Sequence, residues 1–409
     1  MRGYLPRVVD GELRRRLSRP GAVLIEGPRA CGKTRTAREQ AASEVLLDVD
    51  AQARAAAAID PGLLLEGDMP RLVDEWQLEP GVWNHVRRGV DEGGRYVLTG
   101  SSVPADDSTR HTGAGRVARL RMRPMTLFEA GTSSGTVSLR GLFDGEKTQA
   151  PDPGLGLDEI LEEVCRGGWP GFRDLALVDA RRSVADYLTE VERADVPRAD
   201  GTSRDPQRIR ALLRSLARNV STRAAVRTLA IDAQVSPDTA STYLDALARV
   251  MVVEDLPAWT PHLRSRADLR TSPVRQFADP SLAVAALAAT PEQLRRDLEW
   301  LGLLFESLVI RDLRVYAQAL PGRVTQYRDN KGVEVDAIVE TADGRWSAFE
   351  IKLGAGRVDE AASSLLRFAR KIDVDRSGSP TVLGVIVGTG YGYVREDGIH
   401  VIPIGALGP

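Results

Sequence analysis

Through the first 120 residues, short apolar runs alternate with segments of helical period. Residues 22–26, 43–50, 71–77, 95–102 and 115–121 each hold a short apolar core edged by polar residues, as buried strands do. Residues 34–40, 51–59 and 81–91 fall between them as helices, and a basic helix at 11–18 comes first. This alternation predicts βα units around a parallel sheet. Residues 132–156 are rich in Gly, Ser, Thr, Asp and Pro and read as a loop or linker. Helical period then returns at 157–166, 175–191, 208–218, 221–229 and 236–249. Ser236-Pro237-Asp238 opens the last of these, with Ser as N-cap, Pro in the first turn and Asp on the helix dipole. A strand at 251–255 follows, giving the order of a winged helix-turn-helix with 236–249 as the reading helix. In the last third, a long apolar helix runs from Thr290-Pro291 to Leu313. Strands at 323–328, 333–340 and 346–353, a helix at 361–370 and a strand at 381–387 complete an α/β unit. The expected units are a sheet domain at 1–150, a helical domain at 151–260 and a second α/β domain at 261–409.

Between the first strand and the next helix stands Gly27-Pro28-Arg29-Ala30-Cys31-Gly32-Lys33-Thr34. It fits G-x-x-x-x-G-K-[ST], the phosphate-binding loop, whose backbone N–H groups cradle phosphates at a helix start. Lys33 is expected on the β- and γ-phosphates of ATP, and the Thr34 hydroxyl on Mg2+. The run Arg71-Leu-Val-Asp74-Glu75 supplies the second half of such a site. Asp74 would hold Mg2+ and Glu75 would orient or deprotonate the attacking water. Ligands of open parallel sheets sit at the carboxyl ends of strands, which makes Thr99 or Ser101 a candidate γ-phosphate sensor. Arg116 is a candidate arginine finger, acting in its own chain or across a self-associated pair.

In the last unit Glu350 and Lys352 share one face of a strand, and Asp336 lies on the strand before it. Asp, then Glu-x-Lys on the next strand, then a helix, is the layout of the PD-(D/E)xK nuclease core. In that chemistry Asp336 and Glu350, with Glu306 from the preceding helix, would bind Mg2+ or Mn2+, and Lys352 would stabilise developing negative charge. A surface hairpin with a cross-strand ion pair is the plainer alternative. In the middle unit Thr239, Ser241, Thr242 and Tyr243 are candidates for groove contacts. Arg208, Arg210, Arg214, Arg218, Arg223 and Arg227 are candidates for phosphate contacts.

Composition sharpens two of these readings. Of 55 basic residues only five are lysines, at 33, 147, 331, 352 and 371, so Lys33 and Lys352 stand where an ammonium has a specific use. Net charge is −2, so contact with nucleic acid must come from a local patch rather than a global field. Two isolated cysteines exclude a disulfide framework and a zinc finger, and point to the reducing cytoplasm. No apolar run approaches the roughly 18 residues of a membrane span, and the basic N-terminus lacks the apolar core of a secretory signal.

These residues resemble a group of bacterial and archaeal AAA-superfamily ATPases that carry a C-terminal domain of unknown function with a restriction-endonuclease-like core. The matching stretches are Ile25-Glu-Gly-Pro-Arg, Gly32-Lys-Thr34, Leu72-Val-Asp-Glu-Trp-Gln77, Leu98-Thr-Gly-Ser-Ser102, Phe277-Ala-Asp-Pro280, Phe305-Glu306, Tyr327-Arg328, Glu334-Val-Asp336 and Phe349-Glu-Ile-Lys352. The resemblance implies ATP binding and a link to DNA. Two positions depart from related nucleases: Val335, not Pro, precedes Asp336, and the following helix lacks the Gln of many RecB-like enzymes. Both an active and a silent nuclease core are compatible with this. The expected function is a Mg2+-dependent ATPase coupled to a DNA-binding and DNA-cleaving C-terminal unit. The alternative is an ATP-driven switch or scaffold whose nuclease-like unit only binds nucleic acid or protein. A small-molecule kinase is disfavoured by Glu75, which suits hydrolysis.

Overall fold

The computed structural model describes residues 3–100, 112–196, 204–261, 272–329 and 331–409. Helix α1 (Asp10–Leu17) leads into a five-stranded sheet of β1 (Gly21–Glu26), β2 (Ser43–Leu46), β3 (Arg71–Asp74), β4 (Arg95–Gly100) and β5 (Val117–Arg121). The strands lie in the order β2-β3-β4-β1-β5 and every pair is parallel. Helices α2 (Lys33–Arg38), α3 (Ala51–Ile59) and α4 (Val82–Asp91) connect them. Both faces are covered, which explains the near-continuous apolar strands. Ala22 and Leu24 of β1 pack into one cluster with Trp76 and Trp83, while Val23 and Ile25 pack into another with Leu13 and Met122.

The polar stretch after this sheet is not a plain linker. It carries β6 (Val137–Ser138) and α5 (Leu139–Phe143), with Leu139, Leu142 and Phe143 buried. Strand β6 pairs with β13 (Leu407–Gly408) near the other end of the chain, and Ala150 bridges to Gly392. The flanking polar residues hid six buried apolar positions, Val137, Leu139, Leu142, Phe143, Ala150 and Leu155, too few and too unevenly spaced to show a period.

The helical part holds α6 (Leu157–Arg166), α7 (Leu177–Glu190), α8 (Pro206–Arg218), α9 (Val226–Asp232) and α10 (Pro237–Arg249). Ser236 caps α10 by accepting from the Thr239 N–H at 3.1 Å. The expected strand at 251–255 is reduced to isolated antiparallel bridges, Val253 to Phe277 and Leu256 to Val274. Helix α11 (Pro280–Ala286), in the segment assigned to the last unit but not expected as a helix, packs on α6, α7 and α8. The long helix expected from residue 290 is broken: α12 (Pro291–Arg296) ends at Asp297, whose carboxylate caps α13 (Leu298–Ala319) on the Trp300 N–H at 3.0 Å.

The last sheet runs β11-β12-β10-β9-β8-β7. Its members are β7 (Gly322–Arg328), β8 (Glu334–Thr341), β9 (Trp346–Lys352), β10 (Leu383–Val387), β11 (Tyr393–Val394) and β12 (His400–Pro403), with α14 (Val358–Ala369) and α15 (Val374–Ser377) after β9. Strands β7, β8 and β9 form an antiparallel meander. The chain then crosses over through α14, so that β10 joins β9 in parallel. A bulge between Thr325 and Tyr327 frees Gln326, whose N–H bonds to the Pro257 carbonyl at 2.9 Å.

Candidate functional site

The loop at 27–34 joins the carboxyl end of β1 to α2. Gly32 has φ 105°, a left-handed conformation that ends the loop, and Gly27 lies so close to the chain after β5 that a Cβ would stand 2.2 Å from the Met122 carbonyl oxygen. The two glycines of the pattern are therefore required for different reasons: one by its backbone angles, one by contact. The Lys33 ammonium is buried and donates to the Gly27 and Pro28 carbonyls, each at 2.9 Å. Thr34 Oγ1 donates to Asp74 Oδ1 at 2.9 Å, joining the loop to the end of β3 across the intervening β4. Thr99 on β4 bonds to the same carboxylate oxygen. Glu75 takes φ 53°, which costs a non-glycine residue about 1–2 kcal/mol, and its carboxylate accepts from the Gln77 amide. The expected strand at 71–77 thus stops at Asp74, because the chain turns there to drive Trp76 into the core against Trp83.

Ser101 lies outside the described residues. Arg116 is placed away from the loop, just before the amino end of β5, where Asp91 Oδ1 accepts from its Nε at 2.8 Å. In its own chain it faces the opposite end of the sheet. Arg29 leaves the loop to pair with Asp195 of the helical part at 3.1 Å. Cys31 is fully buried. Beside Gly32 and Thr36 opens a cavity of about 400 Å³, walled by Tyr4 and Leu5 on one side and Pro170, Gly171 and Asp174 on the other.

At the end of β9, Lys352 Nζ bonds to Glu350 Oε2 at 2.6 Å and to Asp336 Oδ2 at 3.1 Å. The same Asp336 oxygen accepts from the Ile351 N–H at 2.7 Å. Glu306 faces this group from α13 and is raised well above the usual carboxylate range, first by burial and then by the Asp336 charge. Glu306 itself is half-buried. Burial and Asp336 likewise raise Glu350, and the two carboxylates raise Lys352 against the effect of burial. Among the described residues no group of three or more His, Cys, Asp or Glu side chains is placed to hold a metal ion. The expected Glu306–Asp336–Glu350 metal set is therefore not assembled as such: an ammonium stands among the carboxylates.

Comparison with known proteins divides the chain. Residues 19–130 match the family model described as an AAA domain. This part of the chain is similar to an AAA domain and carries the phosphate-loop pattern. Residues 157–293 and 301–407 match two families described as domains of unknown function, DUF8612 and DUF4143. Uncharacterized proteins of Mycobacterium bovis (Mb2031c) and Mycobacterium tuberculosis (Rv2008c) are each 28% identical over 352 residues, covering 83% of this chain and 72% of theirs. Among solved structures, the Bacillus subtilis DNA clamp loader delta protein aligns at 14% identity and TM-score 0.25, over 59% of this chain and 88% of its own. A signal transduction ATPase with numerous domains from Pyrococcus horikoshii aligns at 10% identity and TM-score 0.21, over 77% and 48%. Scores this low do not establish a common overall fold. No helix among the described residues is long and apolar enough to cross a membrane.

One residue at the phosphate loop escaped the sequence reading. Arg7 is buried and donates to the Cys31 carbonyl of the loop and to the Arg123 carbonyl, both at 2.8 Å, while Glu129 pairs with it at 3.1 Å. It fixes the loop against the chain beyond β5. Nothing in its local sequence separates it from the other arginines of the N-terminus. The helical part departs from expectation too. Tyr243 is buried, with Arg204 over its ring, so it presents nothing to a groove, whereas Ser241 and Thr242 are exposed. Arg210, Arg218 and Arg223 pair with Glu192, Asp232 and Glu334 at 2.7, 2.8 and 2.6 Å, and Arg208 stands 3.7 Å from Asp205. Arg214 and Arg227 are exposed without an ion pair among the described residues.

Proposed function

We propose that the protein binds and hydrolyses ATP in its AAA-type domain and passes the nucleotide state to the helical and C-terminal parts. The 2.9 Å bond from Thr34 to Asp74 carries this reading, because it sets two oxygen donors from separate motifs side by side. Such a pair suits Mg2+, which takes few protein ligands and keeps several waters. When bound, the ion would offset charge on the phosphate oxygens. The loop N–H groups and Lys33 hold the β- and γ-phosphates. Thr99 keeps Asp74 in place, and Glu75, fixed by Gln77, takes the proton of the attacking water. The nucleoside lies in the cavity of about 400 Å³ beside Thr36. Lys33→Ala is expected to abolish binding of a fluorescent nucleotide. Glu75→Gln is expected to keep binding and lower phosphate release about 10²–10⁴-fold; unchanged release would sink the assignment.

For the C-terminal part we propose a nuclease-like core that meets nucleic acid. The order α13-β7-β8-β9-α14-β10 and the Asp336, Glu350 and Lys352 constellation support it. As placed, the carboxylates do not fit Mg2+ or Mn2+, since Lys352 and the Ile351 N–H already use Asp336 Oδ2 and Lys352 uses Glu350 Oε2. That arrangement favours a second reading: a switch or scaffold whose nuclease-like unit binds without cutting. Incubating linear and single-stranded DNA with Mg2+ or Mn2+, with and without ATP, separates the two. Cleavage that Lys352→Ala abolishes supports the nuclease, and intact DNA under every condition supports the scaffold.

A further inference from the structure

A dense group of arginines lies at none of the places considered so far. A cleft of about 710 Å³ opens between α1, the edge strand β5 and the C-terminal unit, where α13 ends and β7 begins. Eight arginines and three acidic residues line it, with no lysine. It shares no lining residue with the phosphate loop or with the Lys352 group.

The three lining acids do not balance the eight arginines, although Arg119 and Arg323 also meet Glu26 and Glu340 from outside the cleft. Glu12 is engaged with Arg16 at 2.8 Å, and Asp255 with Arg275 outside the cleft. Glu254 faces Arg121, Arg123 and Arg314, with smaller contributions from Glu26 at Arg121 and Asp255 at Arg314. Arg123 takes both Glu254 oxygens, at 2.9 and 2.6 Å, which leaves Arg121 and Arg314 at 3.8 and 3.9 Å, beyond hydrogen-bond reach. Burial pushes Arg314 down to about 10, with Glu254 only partly restoring it, and burial lowers Arg121 as well. Buried Arg314 and half-buried Arg121 thus share most of what remains of one carboxylate, a costly state that an added anion relieves. At the mouth, Arg15 and Arg19 are exposed and have no acidic partner among the described residues.

The charge is drawn out rather than compact. Arg119 and Arg121 stand on one face of β5, about 6.6 Å apart along the strand. Arg16 and Arg19 also line a second cavity of about 500 Å³ that carries the basic run on to Arg116. Guanidinium forks match phosphate oxygens. No aromatic residue lines either cavity, so bases have no platform to stack on.

We propose that this cleft binds the sugar-phosphate backbone of a single nucleic-acid strand, without reading its sequence. The proposal stands whether or not the nucleotide site or the Lys352 group is active. It also moves the expected phosphate contacts from the helices to a cleft whose mouth holds Arg15 and Arg19, exposed and with no acidic partner among the described residues.

The test is fluorescence anisotropy of a labelled 20-nucleotide oligothymidylate with the full chain, titrated across a salt series. The variants are Arg15→Gln/Arg19→Gln, both exposed, and Arg182→Gln/Arg376→Gln as a control on exposed arginines away from the cleft. Expected is binding by wild type and control that weakens with salt. The cleft variant should bind more weakly, with a slope of log K against log salt smaller by about 1.4, the loss of two phosphate contacts on a single strand. Matching melting temperatures would exclude misfolding. Three results would each overturn the proposal: no binding by wild type in about 50 mM salt; a cleft variant indistinguishable from the control; or displacement of the oligonucleotide by tripolyphosphate at equal phosphate concentration, which marks a compact anion site.

Discussion

At the carboxyl end of β1 a lysine is held by two neutral carbonyls, Gly27 and Pro28, while at the carboxyl end of β9 a lysine is held by two carboxylates, Glu350 and Asp336. Each is one of five lysines in the chain, and each sits where a strand of a parallel pair runs out toward a helix. The difference lies in the partners. A neutral carbonyl is a modest acceptor that an arriving phosphate readily outcompetes. A pair of carboxylates makes short charge-assisted bonds and leaves the ammonium little charge to offer. Lys33 is therefore available to an anionic ligand, and Lys352 is committed within its own group. Position at a sheet end marks where chemistry can occur; the charge already present decides whether the group is free for it.

Removing each lysine sharpens this contrast most. Lys352→Met strips the bonded ammonium from Glu350 and Asp336 and is expected to cost about 3 kcal/mol in urea unfolding. Lys33→Met leaves only carbonyls behind and is expected to cost about 1 kcal/mol. Equal losses would break the distinction. The loops differ next. A Cβ at Gly27 would meet the Met122 carbonyl at 2.2 Å, whereas one at Gly354, just after Lys352, meets nothing within 4 Å. Gly27→Ala should destabilise by roughly 1–3 kcal/mol and Gly354→Ala by no more than about 0.5 kcal/mol, read as shifts in the unfolding midpoint. The smallest effect concerns Glu306. Its folded value is raised, so what it contributes is fully present below the ordinary carboxylate value and is lost as pH rises through the raised one. Glu306→Gln holds the neutral form, and should stabilise by about 1 kcal/mol at neutral pH. The gain should widen toward alkaline pH and vanish near pH 4 in paired melting curves; a gain independent of pH would refute the charge argument.

Much of the site was legible because it is local. Gly27, Gly32, Lys33 and Thr34 stand in one contiguous loop, and Asp74 and Glu75 end one apolar run, so spacing alone exposes them. The alternation on β9 put Glu350 and Lys352 on one face. Arg7 was not legible, since its partners lie on the loop and beyond β5, at Cys31 and Arg123. The place of Arg116 was not legible, because a basic residue beside a strand carries no mark of which sheet end it occupies; the parallel order placed it beside Asp91.

By itself the sequence determined the βα alternation, the phosphate loop with its acidic partner run, and the helix, meander and crossover of the last unit. Those follow from period, turn chemistry and spacing, which act over a few residues. Only the tertiary structure decided that β4 stands between the loop and Asp74 and that β6 pairs with the far end of the chain. It alone lined one cleft with arginines from α1, β5, α13 and β7. The reason is physical: which charges cancel depends on distances between segments far apart in sequence, and folding fixes those distances by burying apolar faces that carry no information about charge.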